Sequence, residues 1–177
     1  MITWLAARSR IPDLVAITAR RTLVEKMGAG DRVLALHRED LWAIEHAPSV
    51  DARGLVERLL RETTILVNTS KQAVRVGYGE VPGPRRIAEG ARALLIQVSQ
   101  SGDGERECAR LRAAHGFAEV LNLGRSTLWT LVVPDRLSED EVHALQEELI
   151  PERGAGLLAN RHYQMARVLA GSARPII

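Results

Sequence analysis

The second half of the chain repeats a pattern found in the first, and a chain built that way must solve the same packing problem twice. Val33, Leu34, Leu36, Arg38, Leu41 and Trp42 return as Val120, Leu121, Leu123, Arg125, Leu128 and Trp129, at a constant offset of 87. Further on, Leu66, Asn68, Gln72, Arg75 and Val76 return as Leu158, Asn160, Gln164, Arg167 and Val168, at an offset of 92. The difference in offset falls around 150–156, where a lengthened loop costs little. Two matches in the same order mark a repeated unit.

Each copy reads as strand, helix, two strands, helix, strand. In the first, residues 2–6 form a short apolar run. Pro12 and Asp13 then open a helix with Leu14, Ile17, Val24 and Met27 on its core side, closed by Gly28. Residues 32–37 and 41–45 read as two strands around the polar turn Arg38, Glu39, Asp40. Ser49 is placed to cap a second helix with Leu55, Val56, Leu59 and Leu60 inward. Residues 64–68 and 73–76 read as extended.

In the second copy 94–98 is a strand, and Asp103 starts a helix that carries Cys108 and Leu111 and closes at Gly116. Residues 120–123 and 128–133 are strands. Ser138 and Glu141 have capping-box spacing ahead of Val142, Leu145 and Leu149, and 163–169 supplies the last strand. Gly77, Gly79, Pro82, Gly83 and Pro84 mark a linker between the copies. The expected fold class is α+β: two tandem ferredoxin-like βαββαβ units at 1–78 and 91–177, joined by a linker over 79–90, each an antiparallel sheet with helices on one side.

Such a small unit leaves the helix-free face of its sheet bare, which is costly where that face is apolar. Residues 128–133 are apolar on both faces, so with one face on the helices Trp129, Leu131 and Val133 require a second cover. Trp42 and Ile44 require one in the first copy. Packing these two faces together predicts an intramolecular pseudo-dimer.

Charge and composition narrow the function classes. The 24 basic and 22 acidic residues nearly balance, and residues 1–78 and 91–177 show no large excess of either sign. Only six residues are Phe, Trp or Tyr, so neither a phosphate-tracking stripe nor a base-stacking platform is expected, and nucleic acid is not an expected partner. The longest uncharged stretch, 93–102, is half of what a membrane span needs, and the N-terminus lacks the pattern of a secretory signal. With Cys108 as its single cysteine, the chain is expected to be cytoplasmic, without disulfides, cofactor or metal. Cys108 reads as a buried, inert thiol. His37, Glu39 and Asp40 diverge from one turn and do not read as metal ligands. The glycines at 77, 79 and 83 are not a dinucleotide fingerprint, because Pro82 and Pro84 stop a helix from starting there.

Gly116 and Phe117, Gly124 and Arg125, and the run Leu157, Leu158, Ala159, Asn160 together resemble the PurS subunit of phosphoribosylformylglycinamidine synthase. That family shows a Gly-Tyr start to its second strand, a Gly-Lys turn and a Leu-Leu-Ala-Asn-Pro sequence before its closing strand. In the first copy Pro12 and Asp13, Met27 and Gly28, and Ile65, Leu66, Val67, Asn68 stand at the corresponding places. The chain departs from the pattern at Arg161, where the family has proline, and at His37, where it has the turn glycine. The resemblance implies a fused pair of PurS-like units and a non-catalytic role. PurS-type subunits dimerise and bridge the synthetase subunit PurL and the glutaminase subunit PurQ, which with ATP and glutamine convert formylglycinamide ribonucleotide to its amidine in purine synthesis.

No catalytic residue is expected on this reading. Trp42 and Trp129 are expected to hold the two copies together. Arg38 and Arg125, in the same hairpin turn, read either as solvated turn cations or as interface arginines forking to a carboxylate. Asn68 and Asn160 read either as turn asparagines tolerating a left-handed backbone or as contacts to partner subunits, and self-association is a further possibility. The alternative function is an ACT-like regulatory module sensing a small amino acid or nucleotide between paired sheets. It shares the βαββαβ order, so fold alone does not separate the two. A third reading, an independent enzyme on the same scaffold, requires a deep pocket with convergent charges.

Overall fold

Local capping chemistry fixes most helix ends. Asp13 accepts hydrogen bonds from the backbone of Val15 and Ala16 and opens α1, Leu14–Glu25. Asp51 caps α2, Ala52–Glu62, by accepting from Arg53 N, so the cap falls two residues beyond the expected Ser49. The expected capping box is formed at α4, Glu139–Leu149: Ser138 Oγ accepts from Glu141 N, and the Glu141 carboxylate accepts from Ser138 N. The third helix, α3 (Glu105–His115), starts at Gly104 in a left-handed conformation without a side-chain cap, one residue past Asp103.

Helices α1 and α3 close alike. Gly28 at φ +67° lets Ala29 N donate to Leu23 O at 3.0 Å, and Gly116 at φ +70° lets Phe117 N donate to Leu111 O at 3.2 Å. In each case a left-handed glycine turns the chain back so that a fully buried residue follows the helix.

The structure, a computed structural model, describes residues 1–84, 87–152, 156–160 and 162–173, with the side chains of 170–173 excepted. Arg85 and Arg86 of the linker, 153–155 of the expected loop insertion, and Arg161 lie outside the described residues. The strands are β1 (Ile2–Ser9), β2 (Ala35–His46), β3 (Gln72–Tyr78), β4 (Ala91–Gln100), β5 (Val120–Pro134) and β6 (Gln164–Ala173). With the four helices the order is βαβαβ followed by βαβαβ. The strands form one antiparallel sheet in the order β3-β1-β2-β5-β4-β6. The architecture is α+β and compatible with ferredoxin-like units.

One expectation fails in both halves for the same reason. The hairpins at 38–40 and 124–127 do not form; β2 and β5 each run straight through as single long strands. A tight hairpin needs residues at positive φ. No described non-glycine residue has one, and Gly124 is not among the glycines that do. Residues 64–68, expected to be extended, are irregular, with a bend at 65–66, and form no strand.

The chain divides into two compact units whose boundaries lie inside these long strands, at 38/39 and 126/127. The first unit comprises 1–11, 39–83 and 101–126; the second comprises 12–38, 84–100 and 127–177. Each therefore draws on both sequence halves. The first contains β1, most of β2, α2 and β3, with α3 and the start of β5 from the second half. The second contains β4, the rest of β5, α4 and β6, with α1 and the start of β2 from the first half.

In the first unit Leu5 pairs across the sheet with both Trp42 and Val76, which puts all three on one face. That face packs on Leu55, Val56 and Leu59 of α2 and on Cys108 and Leu111 of α3, with Phe117 fully buried among them. In the second unit Trp129, Leu131, Val133, Leu94 and Ile96 pack on Ala16, Ala19 and Leu23 of α1 and on Val142, Leu145 and Leu149 of α4. The cover expected from a second sheet is thus supplied by helices. The start of α1 turns a different side inward than its periodicity predicts: Leu14 and Ile17 are 74% and 51% exposed, while Ala16 and Ala19 are buried; Met27, just past its end, packs on the core as expected. The two alanines let the helix backbone come close to a sheet face already filled by Trp129.

Candidate functional site

The charged side chains in the middle of β2 each pair within a single unit. Adjacent residues on a strand point to opposite faces, and the charges at 38–40 are distributed accordingly. Arg38 Nη1 donates to Asp13 Oδ2 at 3.3 Å in the second unit, so it ties the long strand to the residue that caps α1. Glu39 faces the helix-free side of the first unit and pairs with Arg75, whose Nη1 also donates to Pro82 O at 3.3 Å. Asp40 faces the helix side and pairs with Arg125 Nη2 at 3.6 Å.

The Glu39–Arg75 pair is the most enclosed of these. Glu39, Trp4, Ala6 and Leu41 are all buried on the helix-free face. The start of the linker lies over it: a Cβ at Gly77 would strike the Glu80 carbonyl and Pro82, so only glycine lets the chain fold back there. A buried ion pair gains little net stability over an apolar one, but losing one partner strands a buried charge. The pair therefore enforces one arrangement of β2 against β3.

Arg125 is the most exposed member of these ion pairs, with about half its side chain in solvent. Its guanidinium lies over the Trp42 ring, 5.3 Å from the centroid, and its backbone N–H donates to Asp103 O at 2.9 Å, next to the start of α3. Trp42 itself is 3% exposed, and its indole Nε1 has no hydrogen-bond partner among the described residues. Trp129 is 5% exposed in the core of the second unit. Neither tryptophan is at the surface. Each sits in a core built from both sequence halves.

Asn68 and Asn160 build the same local structure. Asn68 Oδ1 accepts from Ser70 N at 3.1 Å, its carbonyl accepts from Lys71 N and Gln72 N, and its own N–H donates to Gln72 Oε1 at 2.9 Å. Asn160 Oδ1 accepts from His162 N at 3.0 Å, its carbonyl accepts from Tyr163 N and Gln164 N, and its N–H donates to Gln164 Oε1 at 3.0 Å. These are side-chain-closed turns that launch β3 and β6. The backbone is not left-handed at either asparagine.

Cys108 is buried against α2 and β5 residues of the first unit. His37, Glu39 and Asp40 do not converge, and among the described residues no group of three or more His, Cys, Asp or Glu is placed to hold a metal. Among them, too, no helix is long and apolar enough to cross a membrane. Sequence reasoning missed Asp13, Glu39 and Arg75 as the partners at the crossings; pairs separated by 25 and 36 residues leave no local signal. It also missed Arg58, which pairs with Glu119 and lies 4.8 Å over the Phe117 ring. Compared with family models and with curated proteins, the chain finds no match in either.

Proposed function

We propose that the chain is a non-catalytic assembly subunit of phosphoribosylformylglycinamidine synthase: two PurS-like units fused in tandem, forming an intramolecular pseudo-dimer that bridges PurL and PurQ in de novo purine biosynthesis. The observation that carries the reading is the pair of asparagine-centred turns before β3 and β6. Asn68 and Asn160 stand where the PurS resemblance has its Leu-Leu-Ala-Asn motif, and the same set of hydrogen bonds forms around each. The matching closures of α1 and α3 at Gly28 and Gly116 support duplication of one ancestral unit.

The contribution to rate is positional: a glutaminase held against a synthetase delivers ammonia where it is used. The half-exposed Arg125 guanidinium and the solvent-facing Leu14, Val15 and Ile17 of α1 are the side chains best suited to outside contacts. The test is reconstitution with purified PurL and PurQ. The expected result is a three-component complex in size-exclusion chromatography and glutamine-dependent amidine formation that needs the protein. Separate elution of all three, with amidine formation unaffected by the protein, overturns the proposal. A rise in Tm on adding amino acids or purine intermediates instead identifies an ACT-like sensor.

A further inference from the structure

We infer that the two sequence halves are exchanged partners, each holding the first helix of the other together with the strand segment that follows it, and that this exchange keeps them together independently of the linker. In the first unit, Cys108, Leu111, Phe117, Val120 and Leu123 of the second half share a core with Leu5, Trp42 and Leu59 of the first. In the second unit, Ala16, Ala19, Leu23, Val33 and Leu36 of the first half share a core with Trp129, Leu131 and Leu145 of the second. Removing large apolar side chains from water drives such association, and both cores collect them from each half.

Polar contacts tie the same junctions. Arg58 pairs with Glu119 and Asp40 with Arg125 in the first unit. In the second, Nη1 and Nη2 of Arg32 donate to the Glu148 carboxylate at 3.1 and 3.3 Å, and Leu34 N donates to Val132 O at 2.9 Å. The strand order in the first unit is β3-β1-β2-β5 and in the second β2-β5-β4-β6. In each, the fourth strand segment and one helix come from the opposite half. Folding the chain back at 38–40 and 124–127 would return each helix to its own half, so these segments are opened hairpins acting as exchange hinges.

The test keeps the full chain. A protease recognition sequence is inserted between Gly83 and Pro84, and the folded protein is cut there. The expected result is that the fragments elute together at the volume of the intact protein at micromolar concentration. After denaturation, refolding of the cut protein is then faster at higher protein concentration, whereas refolding of the uncut chain is not. Dissociation of the fragments, whether as folded halves or as aggregate, overturns the inference. Two variants of α1 make the readout specific. Leu23→Ala, in the shared core, weakens association of the cut halves by roughly thirtyfold or more. Leu14→Ala, in solvent on the same helix, leaves it unchanged; equal loss in both variants overturns the inference as well.

Discussion

Glu141 is the residue where local geometry has the clearest electrostatic consequence. Its carboxylate accepts from the backbone N–H of Ser138 and then from the Ser138 hydroxyl, and these bonds hold its pKa below the ordinary glutamate value. A depressed folded value means that stability is present above the unfolded pKa of about 4.3 and is lost as pH falls through the folded one. Glu141→Gln should therefore lower Tm near neutral pH and lose its effect in strong acid, as melting curves across pH will register. A second residue-scale prediction concerns the turns: Asn68→Ala and Asn160→Ala each delete the same acceptor, at a cost of about 1 kcal/mol. Chemical denaturation should return similar losses for both, in keeping with their matched hydrogen bonds.

At the scale of elements, the caps of α1 and α4 and the closures of α1 and α3 were readable because they are decided within a few residues. Ser138 and Glu141 announce a capping box by spacing alone, and Gly28 and Gly116 are the residue type a left-handed closure requires. The long strands were not readable. Whether 38–40 turns or continues depends on Asp13, Arg75 and Arg125, brought in from far along the chain, and a polar triplet between apolar runs looks the same in either case. The inward side of α1 was hidden for a related reason: a bulky partner, Trp129, selects the alanine side over the leucine side. Truncating that partner tests the packing. Trp129→Ala and Trp42→Ala should each cost about 3–5 kcal/mol, measured by chemical denaturation, whereas Ile17→Ala should change stability by less than about 0.5 kcal/mol.

For the whole molecule, the repeat predicted that the halves depend on each other and misjudged how. Face-to-face sheets were expected because 128–133 is apolar on both sides; the helices instead cover the Trp129 side, and Leu128 and Thr130 are buried on the other. Because β2 and β5 each contribute to both compact units, neither unit can melt without breaking into two strands that it shares with the other. Calorimetry should show one transition, and Leu111→Ala, confined to the first core, should move that whole transition to lower temperature and not split it.

The uninterrupted path of β2 and β5 also limits how their length can evolve. Side chains alternate strictly along a strand, so adding or removing one residue near 39 or 125 reverses inside and outside for everything on one side of the change. For β2 that would turn Trp42 and Ile44 away from their helices, or Leu36 away from its own core. Loops elsewhere in the chain are free to lengthen, but through these two crossings the count of residues must keep its parity.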